Sequence, residues 1–258
     1  MKIVTWNVNS VRARIEQVET FLRKESPDVI CLQETKVKDE DFPVEIFEKM
    51  GYYIAFSGQK SYNGVAIVSK FPFKNLKKDL FDTDGQKRTM EATIENIAVI
   101  NAYFPRGGER GSEKFFYKLE FFQKMKDYVL NNYSLDEFLL ICGDFNVARF
   151  DTDVWDPLLL QNEPGFLKEE RDALEGLIGI GLLDLFRELN PSAEHIYTWW
   201  DYRGGAFRRN YGMRIDYILS TRSLAKYAKE CVVEKEWRSY NKPSDHVPLV
   251  ANFELSEI

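Results

Sequence analysis

Residues 138–146 carry an apolar run straight into two polar side chains. Phe138 to Cys142 is an unbroken apolar stretch of strand length; Gly143 follows, then Asp144 and, two residues on from it, Asn146. An unbroken run, rather than an alternating one, suits a strand buried on both faces. On extended backbone an i, i+2 pair projects to one face, so a carboxylate and an amide would stand together at the strand's mouth. A strand closed by an Asp/Asn turn would leave the same residues. What favours chemistry is recurrence. Other strand ends carry Asn7, Glu34, Tyr103, Asp245 and His246, and Asp216 lies within a strand. Gathered on one edge, these make an acidic pocket with one imidazole. Clustered carboxylates repel, and each resists ionising unless a cation joins them. Oxygen ligands suit a hard ion, Mg²⁺ or Mn²⁺, bound at ~2.1 Å in the case of Mg²⁺, and not zinc. A hard cation, an imidazole and amide donors fit attack of water on a phosphodiester.

Each residue also has a plainer reading. Asn7 can cap the following turn. Glu34 can be a solvated strand-end carboxylate, Tyr103 a core aromatic, and His246 a satisfied structural histidine. Asp216 is hardest to explain that way, because an isolated buried carboxylate is costly. The chain's other histidine, His195, precedes a strand and receives no role.

The elements that must position these residues follow from periodicity. Lys2 to Val8 reads as a strand delivering Asn7. Val11, Ile15, Val18 and Leu22 recur at helical spacing, and Pro27 ends that helix. Val29 to Leu32 is a short strand ending at Glu34. Tyr52 to Phe56 and Val65 to Val68 are further strands. Arg88 to Ile94 and Ile97 to Tyr103 form a hairpin, and Ser112 caps a helix bearing Phe115, Leu119, Phe122 and Val129. After the 138–146 strand come an Asp/Pro-rich loop over 149–166 and a helix from about Lys168. Strands are expected at Leu183–Phe186, Ile196–Trp200, Met213–Leu219, Cys231–Glu234 and Val247–Phe253, with a Gly/Arg-rich loop over 203–212. Several strands follow one another without a helix, which points to layered α/β with mixed sheets rather than a doubly wound parallel sheet.

Composition sets the outer bounds. The 258 residues are 44% hydrophobic and 14% aromatic, enough for a sizeable core. Cys31, Cys142 and Cys231 are an odd, scattered set in apolar surroundings, which argues for a reducing compartment and against disulfides or zinc. The N-terminus runs directly into a strand pattern, and no apolar stretch approaches membrane length, so an intracellular, cytoplasmic protein without a membrane partner is expected. The net charge of −6 argues against a simple nucleic-acid coating protein, but not against a nucleic-acid enzyme with locally sorted charge.

The motifs, taken in order, resemble the exonuclease III family of AP endonucleases, within the endonuclease/exonuclease/phosphatase superfamily. They are Thr5-Trp6-Asn7-Val8-Asn9, Leu32-Gln33-Glu34-Thr35-Lys36, Asn63-Gly64-Val65-Ala66 and Asn101-Ala102-Tyr103-Phe104-Pro105. They continue with Gly143-Asp144-Phe145-Asn146-Val147, Gly165-Phe166 with Glu170-Arg171, and Tyr197-Thr198-Trp199-Trp200-Asp201-Tyr202-Arg203. Arg214-Ile215-Asp216-Tyr217 and Ser244-Asp245-His246 complete the set. The resemblance implies a four-layer α/β/β/α sandwich, two mixed sheets face to face with helices outside, and one domain over residues 1–258. It implies a divalent-metal-dependent repair nuclease cutting 5′ to abasic sites, with 3′→5′ exonuclease or 3′-end-cleaning activity, acting as a monomer on double-stranded DNA with abasic sites or 3′ ends. Glu34 would be the main metal ligand, with Asn7 and Asp245 beside the ion. Asp216 would orient His246, which with Asn146 and Tyr103 would stabilise the pentavalent phosphorane, and Asp144 would orient or deprotonate the attacking water. Trp199, Met213 and Ile215 would wall a pocket for the baseless sugar.

Arg106, Arg110, Arg203, Arg208, Arg209 and Arg214, with Lys36 and Lys60, fall in loops beside these motifs and are candidate phosphate contacts. One difficulty is visible at once. Met213 and Ile215 share a face of their strand while Asp216 points to the other, so pocket wall and catalytic carboxylate need a bulge or twist near Gly212. Two other readings compete: a phosphatase of the same superfamily acting on a small or lipid phosphoester, and a non-catalytic DNA-binding module. The first usually places a histidine where this chain has Tyr103; the intact acidic set argues against the second.

Overall fold

The computed structural model describes residues 1–81 and 84–255. Its strands, in chain order, are β1 (Lys2–Asn7), β2 (Val29–Gln33), β3 (Tyr53–Ser57), β4 (Val65–Ser69), β5 (Phe73–Lys78), β6 (Thr89–Ile94), β7 (Ile97–Tyr103) and β8 (Leu139–Asp144). They continue with β9 (Leu182–Asp184), β10 (Trp199–Trp200), β11 (Gly212–Met213), β12 (Asp216–Thr221), β13 (Ala228–Val233) and β14 (Leu249–Phe253). The helices that matter here are α1 (Ile15–Glu25), α2 (Val44–Lys49), α3 (Glu113–Asn132), α4 (Pro157–Leu160), α5 (Lys168–Ile178) and α6 (Leu185–Leu189).

Two six-stranded sheets carry the fold, in the orders β13-β14-β1-β2-β4-β3 and β5-β6-β7-β8-β12-β9. Each contains a single parallel pair, β1 with β2 and β7 with β8, among antiparallel neighbours. A parallel pair needs a crossover, and α1 and α3 supply the two. Between the sheets lies a core of Ile3, Val29, Cys31 and Ile67 from one and Val99, Leu140, Cys142 and Ile218 from the other. Alternate residues of the same strands face outward. Val4, Trp6, Ile30 and Leu32 pack on Val18, Phe21 and Leu22 of α1; Ile100, Ala102, Leu139 and Ile141 pack on Phe121, Phe122 and Met125 of α3 and Leu174 and Leu177 of α5. Strands buried on both faces explain the unbroken apolar runs of the sequence, and the result is the expected α/β/β/α sandwich.

Three expectations need correcting. The strand expected at Leu183–Phe186 starts one residue earlier and ends two earlier: the chain leaves β9 at Asp184, whose side chain caps α6 by accepting the Arg187 N–H at 3.3 Å. The Met213–Leu219 strand is broken. β11 stops at Met213 and pairs with β10, whereas β12 starts at Asp216 and pairs with β8. Between them the Thr198 hydroxyl accepts both the Ile215 and Asp216 N–H at 3.1 Å, and the Arg214 N–H reaches the Asp153 carbonyl at 2.8 Å. This break, and not a bulge at Gly212, frees Asp216 from the alternation that Met213 and Ile215 follow. The Ile196–Trp200 strand is reduced to two residues.

Candidate active site

The four carboxyl ends of the parallel strands converge at one edge of the sandwich. β1 ends on Asn7, and Glu34 follows β2 immediately. β7 ends on Tyr103 and β8 on Asp144, directly opposite one another in register, and Asp216 faces Asp144 from the other side. Tyr103, Asp144 and Asp216 are therefore three neighbours across one sheet. Gly143 makes this approach possible: a Cβ there would lie 1.8 Å from the Ala102 carbonyl oxygen.

The turns are fixed by their own hydrogen bonds. Glu34 adopts φ 51°, a left-handed conformation that a β-carbon disfavours. It is held there because the Glu34 carbonyl accepts from Ser10 N–H at 2.8 Å, while Thr35 N–H donates to Gly64 at 3.1 Å. Asn146 is also left-handed, at φ 53°, so the extended backbone assumed for the Asp144/Asn146 pair is not found. An Asp/Asn turn and a shared site coexist instead. Asp144 Oδ1 accepts the Asn146 N–H at 2.8 Å, and the Asn146 amide returns to Asp144 Oδ2 at 3.3 Å and donates to the Phe104 carbonyl at 2.9 Å.

From sheet to sheet the side chains interlock. The Asn7 amide donates to Glu34 Oε1 at 2.8 Å and to Asp144 Oδ2 at 2.9 Å, tying the two carboxylates together. Its own oxygen accepts the Asn9 N–H at 3.0 Å, so one side chain both closes the turn and bridges the two carboxylates. Asp216 Oδ2 lies 2.9 Å from His246 Nδ1, and His246 Nε2 lies 3.6 Å from Asp144 Oδ2. Asp245 is turned elsewhere, accepting from Asn9 Nδ2 and Trp199 Nε1, each at 3.0 Å. Glu34, Asp144 and His246 can each place one donor atom so that all lie within 4.8 Å of one another.

Electrostatics follow from this packing. Burial alone would depress the His246 imidazole, but Asp216 and Asp144 outweigh it and raise its pKa to about 10. Burial pushes the Asp144 carboxyl up to about 7, reinforced by Asp216 and Glu34 and opposed by His246. Burial, with Glu34 and Asp144 alongside, holds the Tyr103 phenol well above its usual range. The Arg88 guanidinium lies over that ring at 4.8 Å and donates to the Tyr103 carbonyl at 3.2 Å.

A cavity of about 250 Å³ opens beside this cluster. Glu34, Tyr103, Asn146, Asp245 and His246 line its polar side, and Trp199, Met213 and Ile215 form an apolar wall with Leu160 and Phe166 behind. Arg106 stands exposed at its mouth. Among the remaining candidate phosphate contacts, Arg214 is misplaced by the sequence reading. It is fully buried and bonded to Asp153 at 2.9 Å and Asp184 at 2.8 Å, a structural role that anchors the break before Asp216. Arg110 is engaged by Glu169 and Arg203 by Asp201. Lys36 lies 2.9 Å from Glu34. His195 bonds Tyr197 at 2.8 Å and lines no part of the cavity. Sequence reasoning passed over Asn9, which joins Asp245 to the Asn7 turn, and Ser244, whose hydroxyl donates to the Asn7 carbonyl at 2.7 Å. Asn9 stands two residues after Asn7, the same spacing that singled out Asp144 and Asn146.

The match to known proteins spans nearly the whole chain. The model of the endonuclease/exonuclease/phosphatase family covers residues 4–246. The chain belongs to that family. Within it, exodeoxyribonuclease III of Haemophilus influenzae is 39% identical over 98% of this chain and 100% of the relative. An AP endonuclease structure from Archaeoglobus fulgidus superposes with a TM-score of 0.95 at 40% identity, covering 99% of this chain and 100% of that one. A Neisseria 3′ phosphatase, solved with a product DNA hairpin, gives a TM-score of 0.93 at 37% identity over 98% and 99% of the two chains. The exonuclease III resemblance drawn from the ordered motifs thus holds.

Proposed function

We propose that this chain is a divalent-cation-dependent DNA repair nuclease that hydrolyses the phosphodiester 5′ to an abasic site and also trims 3′ ends. The observation that carries the reading is the adjacency of two things. A cluster of Glu34, Asp144 and His246 stands beside a small apolar wall of Trp199, Met213 and Ile215. The first suits a phosphodiester and the second a sugar with no base. An abasic nucleotide has no stacked base to extract, so turning it out of the duplex is cheap and a small apolar pocket can select it.

The donor set fits a hard cation. Two carboxylates that face one another across a bridging amide have their repulsion relieved by an ion between them. Glu34 would hold it, with Asn7 and Asp245 framing the site, and Mg²⁺ or Mn²⁺ is the choice for oxygen ligands. Such an ion supplies a polarised phosphoryl oxygen and a more acidic water.

The chain's own groups divide the remaining work. An imidazolium cannot ligate a metal, so His246, protonated between Asp216 and Asp144, offers its Nε2–H to the negative charge that builds on the phosphate. Asp216 fixes the ring through Nδ1 and keeps that proton in place. Tyr103 keeps its phenolic proton and donates from the other side. Asp144 receives the proton of the attacking water, with the Asn146 amide orienting both. Arg106 meets a flanking phosphate at the mouth. Residues 1–258 act as one domain, since both sheets complete the site.

The test is nicking of a duplex bearing one abasic site, with and without Mg²⁺, by wild type and Glu34→Gln. Cleavage that requires Mg²⁺, and a mutant that needs more Mg²⁺ to reach its rate, is the expected result. Undiminished nicking in a chelator, or an unchanged Mg²⁺ dependence in the mutant, would contradict it. DNA binding without any cleavage would favour the binding-module reading.

A further inference from the structure

Behind the cavity lies a second pair of charges that the cluster above does not use. Lys118, in the second turn of α3, and Glu170, in the first turn of α5, are both 0% exposed and meet at 2.8 Å. For joining two helices such a pair is a poor choice. Removing two charges from water is costly, and apolar side chains of similar size often stabilise as well or better.

What the pair touches accounts for it. Lys118 Nζ donates to the Asn146 carbonyl at 2.6 Å and to the Arg106 carbonyl at 3.3 Å. Glu170 Oε2 accepts the N–H of Gly165 at 2.6 Å and of Leu167 at 3.4 Å, and the Gly165 carbonyl accepts from Ala148 at 2.8 Å. One ion pair therefore fastens three loops, and each supplies a residue to the cavity: Arg106, Asn146 and Gly165. The fit is close, since a Cβ on Gly107 would lie 2.9 Å from both Glu170 Oε1 and Lys118 Cδ. Asn146 is also the left-handed residue of its turn, so its carbonyl direction sets where its amide reaches.

We propose that Lys118 and Glu170 are positioning residues for the cleavage reaction, fixing Asn146 and Arg106 against the scissile and flanking phosphates without touching the DNA. This rests on the nuclease reading above. Both ends of the pair matter in different ways: Lys118 supplies N–H donors to two carbonyls, and Glu170 supplies an acceptor to two amides. An apolar pair of the same size would keep α3 on α5 but release all three loops.

The experiment compares wild type, the double variant Lys118→Met with Glu170→Leu, and Lys118→Arg, in single-turnover cleavage of an abasic duplex at saturating enzyme. Duplex affinity without metal and thermal unfolding are measured alongside. The apolar double variant is expected to stay folded and to lose no more duplex affinity than Arg106→Ala while its maximal rate falls at least about tenfold, because a misplacement of about 1 Å can cost ~10²-fold. Lys118→Arg, which keeps the donors, should recover most of the rate. A folded double variant cleaving at the wild-type rate would overturn the proposal and leave a mere helix contact. If that variant fails to fold, Glu170→Met, which removes the acceptor and leaves Lys118 in place, decides: a folded variant with an unchanged maximal rate would equally overturn it. Failure of the nuclease reading itself would show separately, as wild type that does not cleave.

Discussion

His246 is the residue whose surroundings make the sharpest demand. Its imidazole titrates near 10 in the folded chain against an ordinary 6.5, because the attraction of Asp216 and Asp144 exceeds the penalty of burial. The folded state therefore holds a proton that the unfolded state has lost between those values. The resulting stabilisation is fully present below about 6.5 and disappears as pH rises toward 10. Metal-free wild type should lose thermal stability across that interval more steeply than His246→Asn. Parallel curves would place the imidazolium elsewhere. Trp199 poses the complementary question of selectivity. Its ring walls the cavity and its N–H holds Asp245. Trp199→Ala should narrow the preference for abasic over intact 3′-end substrates by roughly 1–3 kcal/mol in single-turnover rates. Equal losses on both substrates would make it a plain core residue.

At the level of elements, the site depends on how closely β7 and β8 approach. Gly143→Ala would drive a methyl group into the Ala102 carbonyl, displacing Asp144 one residue later. A loss of about 1–3 kcal/mol in denaturant unfolding is expected, with a larger fall in activity than in DNA binding. Unchanged stability would mean the strands can part freely. The same elements explain what could be read in advance. β1, β2, β7 and β8 are buried on both faces, so unbroken apolar runs marked them and the polar residue that ends each. β5 was passed over because Phe73-Lys-Asn-Leu-Lys-Lys is an exposed, lysine-rich edge strand with no core-facing pattern. The strand at Leu183–Phe186 is legible but its end is not, because Leu185 and Phe186 are too short an apolar run to separate the two periods. The break between β11 and β12 is illegible for a different reason: it is held by Thr198 and by Asp153 through Arg214, partners distant in sequence. Arg214 read as a surface cation since nothing local announces the Asp153 and Asp184 carboxylates that bury it.

Across the whole molecule, each sheet supplies one parallel pair, and the site lies where their carboxyl ends meet. Neither sheet holds a complete set: Asn7, Glu34 and His246 come with one, Tyr103, Asp144 and Asp216 with the other. DNA binding by a chain of net charge −6 then rests on local sorting of cations. Arg106, exposed at the mouth, and Arg214, sealed beneath it, should separate cleanly. Arg106→Ala should weaken duplex binding and lower the salt dependence by about one phosphate contact without altering the unfolding midpoint. Arg214→Ala, which strands two buried carboxylates, should destabilise the fold by several kcal/mol instead. The reverse assignment would invalidate the placement of the DNA face. The central claim is that one site selects a baseless sugar and cuts on its 5′ side. The most direct measurement is a panel of otherwise identical duplexes, abasic, nicked, 3′-phosphate and uracil-containing, cleaved under one set of conditions with the product ends identified. The account predicts Mg²⁺-dependent cleavage of the abasic strand leaving a 3′-hydroxyl, with slower action at the nicked and 3′-phosphate ends. Cleavage on the 3′ side of the lesion, or equal rates on abasic and intact duplex, would contradict it.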